Sequence, residues 1–89
     1  MRRLSQRHPL KHRGARRAEW NRYATHPLLG PEVFGMSVRA ADEIYTIDGW
    51  LQRNPVYPIY AIRESDGEAF ALRIIEVDDT LMQRNRAPP

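Results

Sequence analysis

Residues 57–77 read YPIYAIRESDGEAFALRIIEV, two alternating apolar runs on either side of Asp66-Gly67. An Asp-Gly pair between such runs is the strongest short-range signal for a β-hairpin, because both residues tolerate the left-handed backbone of a tight turn. A two-residue turn sets Ser65 opposite Glu68. Counting outward then puts Ile59, Ala61, Phe70, Leu72 and Ile74 on one face, with Arg63 toward the turn. That face is the expected core. The other face carries Tyr60, Ile62, Ala69, Ala71 and Ile75, interrupted by Glu64 and Arg73, and is too apolar to be left in water. The reading assigns it to a protein partner or a second copy of the chain, with Tyr60, Ile62, Ala71, Arg73 and Ile75 as the interface.

Upstream, residues 40–54 (AADEIYTIDGWLQRN) fit two patterns. A helix with the stripe Ala40, Ile44, Ile47 and Leu51 spans more than two turns, carries Asp42 and Glu43 near its positive end, and stops at Asn54-Pro55. A strand over 44–47 with a turn at Asp48-Gly49 into Trp50 and Leu51 is the alternative; the helix is the favoured reading. Residues 32–39 alternate with period two and predict a strand. Residues 27–31 (PLLGP) form a loop. Residues 14–25 predict a short helix ending before His26-Pro27, since the residue preceding proline is pushed out of helical geometry. The fold class is therefore α+β: a small antiparallel sheet built on a C-terminal β-hairpin, covered on one face by one or two helices. The expected organisation is a flexible basic arm over 1–17, one domain over 18–80 and a loose tail over 81–89.

With 89 residues, the chain has room for one small core, burying only about 60% of its unfolded surface. No cysteine is available for a disulfide or thiolate metal site. Nor does any stretch approach the roughly 18 apolar residues needed to cross a bilayer, so no membrane is expected and the chain reads as cytoplasmic. An organellar transit peptide is the alternative for its acid-free, arginine-rich start.

Charge is divided along the chain. Residues 1–17 hold Arg2, Arg3, Arg7, Lys11, Arg13, Arg16 and Arg17 and no acid, giving +7, while the remainder sets seven arginines against eleven acids, giving −4 within the overall +3. So cationic a segment with few aliphatics cannot fold by burial alone and seeks an anionic surface. Nucleic acid is the commonest such surface, because each neutralised phosphate releases counterions. Trp20 and Tyr23, interleaved with arginines, are candidates for stacking on bases; docking both on the core explains the same residues.

Catalytic signatures are largely absent: there is no glycine-rich phosphate loop, nucleophile elbow or cysteine nucleophile. The pairs Asp42-Glu43 and Asp78-Asp79 are adjacent, so their side chains diverge and neither is arranged to share a proton or a metal. His8 and His12 are separated by Pro9 and read as solvated. No cofactor, metal site or catalytic residue is assigned.

The run from Phe34 to Ile62 resembles the second strand-helix-strand unit of ferredoxin-like dimeric α+β barrels, the group that includes muconolactone isomerases. The likeness lies in an acid-bearing helix followed by Leu51, Pro55, Val56, Tyr57 and Pro58. It implies a dimer and a pocket lined by Tyr45, Trp50, Tyr57 and Tyr60, although the first thirty positions do not supply the family's opening strand.

Together these readings point to a non-catalytic binding module. Its arm and first helix engage a polyanion, RNA or DNA, through Arg2, Arg3, Arg7, Lys11, Arg13, Arg16, Arg17, Trp20 and Tyr23, and its sheet engages a protein partner or itself. Two alternatives stand beside it: the small dimeric enzyme or ligand-binding protein of the barrel kind, and a phage or accessory inhibitor. The inhibitor would lay Glu64, Asp66, Glu68, Glu76, Asp78 and Asp79 in another protein's nucleic-acid groove.

Overall fold

A five-stranded antiparallel sheet in the order β1-β5-β4-β3-β2 organises the chain in a computed structural model that describes residues 1–4, 12–27 and 29–77. The elements are β1 (Arg2–Arg3), α1 (Arg13–Tyr23), β2 (Ser37–Ala40), β3 (Glu43–Trp50), β4 (Ile59–Arg63) and β5 (Ala69–Leu72), with a 3-10 turn at Pro31–Val33 and a helical turn at residues 74–77. The fold is α+β, as the sequence indicates.

The helix expected over 40–54 is instead the second arm of a β2–β3 hairpin, with Ala40 opposite Glu43 and Val38 opposite Tyr45. Two side chains decide the matter. A helical stripe needs Ile44 and Ile47 on one side, but Ile44 is 39% exposed and Ile47 fully buried beside Tyr45, the period-two outcome. β-Branched and aromatic residues, Ile44-Tyr45-Thr46-Ile47, favour this pleated setting. The turn falls at Ala41 and Asp42, both left-handed at φ 49° and 64°. Asp48-Gly49 is no turn: the register shifts between Ile47 and Gly49, a bulge that lets β3 run on to Trp50.

The strand expected over 32–39 begins only at Ser37. Before it, Val33 and Phe34 are both buried, which alternation forbids, and the 3-10 turn followed by Gly35 at φ 87° delivers both side chains inward. In the C-terminal hairpin the faces are as read but the register differs by two positions. Ala61 pairs with Phe70 and Ile59 with Leu72, and Arg63 N–H donates to the Glu68 carbonyl at 2.8 Å. The turn is longer because Asp66 shapes it: Oδ1 accepts from the Glu68 N–H at 3.1 Å and the carboxylate pairs with the Arg63 guanidinium. A shift of two preserves side-chain parity, so Ile59, Ala61, Phe70 and Leu72 still enter the core.

α1 packs on β3 and closes one end of the inner face with Trp20, whose ring lies edge-on to Trp50 at 6.0 Å and tilted to Phe34 at 6.4 Å. Val77, fully buried, and Met1 close the rest, with the Tyr45 hydroxyl donating to Met1 Sδ at 2.8 Å. At the N-terminus, Arg2 and Arg3 pair with Ala71 and Phe70 as an edge strand, and α1 starts at Arg13, so neither end of the segment read as a flexible arm trails free. Residues 5–11 and the tail over 81–89 lie outside the described residues. The strand meander without a helix between β3 and β4 is not the repeated strand-helix-strand plan of the barrel family.

Candidate nucleic-acid interface on the first helix

The cations grouped in sequence are divided by the fold. Arg2 and Arg3 sit on β1, three strand spacings from β3, or about 14 Å across the sheet. Arg3 reaches Glu68 at 3.3 Å, an exposed pair of little energetic weight. Arg13, Arg16 and Arg17 lie on α1. Arg7 and Lys11 lie outside the described residues.

Within α1 the three arginines have different surroundings. Arg16 shares its side with Trp20, four residues on, and turns inward: its Nε donates to the Asp48 carbonyl at 3.0 Å and its guanidinium pairs with the Asp48 carboxylate at 3.2 Å. Its charge is thereby balanced at the β3 bulge. Beside this pair, burial pushes the Tyr60 hydroxyl pKa up; the Asp48 carboxylate adds to the rise and Arg16 opposes it.

Arg13 and Arg17 are exposed, and each lays its guanidinium over the Phe34 ring, 5.1 Å from the centroid in both cases. The 3-10 turn brings Phe34 beneath them. Gly35 follows the ring at φ 87°, a backbone conformation that side chains avoid, and a terminal nitrogen of Arg13 lies in ordinary contact range, 3.4 Å from where a Cβ would stand. A cation–π contact holds a guanidinium in place without neutralising it. Among the described residues neither Arg13 nor Arg17 has a carboxylate partner. No acid occupies the first turn of α1 either, so the positive end of the helix adds to the same field. Arg22 lies elsewhere: five positions beyond Arg17 it points to a different side of the helix, over the Tyr23 ring at 5.3 Å.

Trp20 is not available for stacking. It is 0% exposed and its Nε1 donates to the Gly30 carbonyl at 3.0 Å, so core docking is realised for Trp20. Tyr23 remains 36% exposed beneath Arg22. Of the residues read as a protein interface, Tyr60 and Ala71 are already buried within the chain and Ile62 is half-buried. Arg73 and Ile75 are exposed but lie beyond the end of β5, so the five do not make one open face.

The residues named for the two alternatives are only partly brought together. Tyr45 and Tyr60 project to opposite faces of the sheet and cannot line one pocket, since Tyr45 shares its side with Ile47 and Ala61 while Tyr60 faces Gly49. Of the acids assigned to mimicry, Glu64 accepts from the Ser37 and Thr46 hydroxyls, Asp66 holds Arg63 and Glu76 meets Arg73, while Glu68 makes only the exposed contact to Arg3. Asp78 and Asp79 lie outside the described residues. Phe34 is the member of the site that sequence reading missed, because the expected strand gave its ring no role beyond the core.

Fold and surface together define a small α+β module: one antiparallel sheet, one docked helix and a cationic flank on that helix. Residues 16–86 match the Y4mA C-terminal domain, and the chain belongs to that family. Arg16, Arg17, Phe34, Asp48 and the whole of β2 to β5 fall inside the matched region, and Arg13 three residues ahead of it. No curated protein and no solved structure matches the chain. Among the described residues no helix is long and apolar enough to cross a membrane.

Proposed function

We propose that the chain is a binding module that holds the phosphate backbone of a nucleic acid on the Arg13–Arg17 flank of α1. The observation that carries this reading is the pair of exposed guanidiniums set over Phe34 with no carboxylate partner among the described residues. Forked, permanently charged groups suit phosphate oxygens, which accept two hydrogen bonds from one guanidinium. Four residues along a helix separate the two by about 6 Å of axial rise, so both can face one backbone. Both guanidiniums are already laid over Phe34, so the contact loses little side-chain entropy on binding.

The test is a titration of a fluorescently labelled nucleic acid by anisotropy, comparing wild type with R13A/R17A. Loss of two charge-assisted contacts lowers affinity at least about tenfold. The variant binding as tightly as wild type removes the reading, provided that circular dichroism shows an unchanged fold.

A further inference from the structure

We infer that the nucleic acid engaged by this surface is a duplex, held by its backbone without reading of the bases, rather than a single strand. The inference rests on the proposed function and adds the class of ligand. Proteins that grip single strands combine a basic groove with exposed aromatic faces on which unstacked bases lie. All of this chain's phenylalanine, tyrosine and tryptophan rings fall among the described residues, and they do not supply such a platform. Trp20 and Phe34, the rings nearest the cations, are 0% and 4% exposed, and the outward side of Phe34 is occupied by the guanidiniums themselves. Tyr57 is half-buried with Arg73 over its ring at 5.7 Å, and Tyr23, 36% exposed, already carries Arg22 over one face at 5.3 Å.

What remains is a cationic flank able to contact phosphate alone. For such a surface the denser array is the better ligand. Duplex DNA carries one charge per about 1.7 Å of axis, and each phosphate neutralised releases about 0.9 counterion against about 0.7 on a single strand. A duplex also offers its phosphates in fixed rows, matching side chains that are themselves fixed by Phe34. Base edges are read by long polar side chains reaching into a groove; Arg13 and Arg17 lie back over a ring of their own protein, and Arg16 is committed to Asp48.

The experiment uses the full chain and four labelled probes: a 20-base-pair DNA duplex, each of its two strands alone, and a duplex of shuffled sequence. Binding is followed from about 50 to 200 mM salt. The expected result is that both duplexes bind alike, within about twofold, and about tenfold more tightly than either strand, with the slope of log affinity against log salt reduced by about 2 in R13Q/R17Q. A lysine pair, R13K/R17K, retains most of the salt slope if charge is what matters. Single strands binding as well as the duplex overturn the inference while leaving the nucleic-acid reading standing, as does a preference above about tenfold between the two duplexes. Absence of binding to all four probes removes both.

Discussion

Arg16 and Asp48 tie the helix to the bulge of the third strand: Arg16 Nε donates to the Asp48 backbone carbonyl at 3.0 Å while the guanidinium meets the carboxylate at 3.2 Å. The two side chains are 19% and 21% exposed, a setting between a solvated pair and a dry one. Removing one partner strands the other's charge, so R16A and D48A should each cost about 1–2 kcal/mol, and the double-mutant cycle should return a coupling of about 1 kcal/mol. Urea unfolding of the four proteins measures this. Strict additivity would show that the pair contributes nothing to docking α1.

Trp20 fixes the same helix from the core side. Its ring packs between Trp50 and Phe34, and its Nε1 satisfies the Gly30 carbonyl. W20A should lower stability by about 3–5 kcal/mol, which approaches the whole stability of a domain this size, while W20F should cost less despite orphaning Gly30. Thermal melts followed by far-ultraviolet circular dichroism give the comparison; equal effects would mean that the Trp20 ring does not anchor α1.

Backbone conformation sets opposite expectations at two turns. Ala41 adopts φ 49°, where a Cβ is crowded by its own backbone, whereas Gly67 adopts φ 75° with open space where a Cβ would stand. A41G should therefore stabilise by about 0.5–1 kcal/mol through relief of left-handed strain, and G67A should destabilise by about 1 kcal/mol through strain alone. Denaturant midpoints check both signs.

Acid should weaken the β4–β5 turn. The Arg63 side chain, then the Glu68 backbone N–H, hold the Asp66 carboxyl down at about 2, below the usual value near 4. A group depressed in the folded state contributes stability above its unfolded value and loses that contribution as pH falls through the folded one. Wild type should thus be more stable than D66N at pH 6, with the gap closing between about pH 4 and pH 2. Glu64, lowered by the Ser37 and Thr46 hydroxyls, adds to the same acid sensitivity. A gap that stays constant across that window would remove Asp66 as its source.

The legible parts of the fold were those fixed by side-chain parity. The two faces of the β4–β5 hairpin follow from alternation alone, and survive a register that Asp66 moves by two positions. α1 was legible from His26-Pro27 and from its short apolar stripe. Residues 40–54 were not, because Ala40, Ile44, Ile47 and Leu51 satisfy a helical period while Tyr45 and Ile47 satisfy a strand period, and the arbitrating turn at Ala41-Asp42 lacks the glycine or asparagine that marks such turns. At the site, charge density was readable but placement was not. Nothing local shows that Arg16 will meet a carboxylate 32 positions away, or that Phe34 will gather Arg13 and Arg17, since those contacts exist only once α1 docks on β3.

The location of the contact is most directly measured by backbone and guanidinium NMR shifts during titration with a short DNA duplex. The account predicts that the largest perturbations fall on Arg13, Gly14, Arg17 and Gly35, with Arg16 and the β1 arginines little changed. Perturbations centred on Arg2 and Arg3, or confined to residues 5–11, would contradict it.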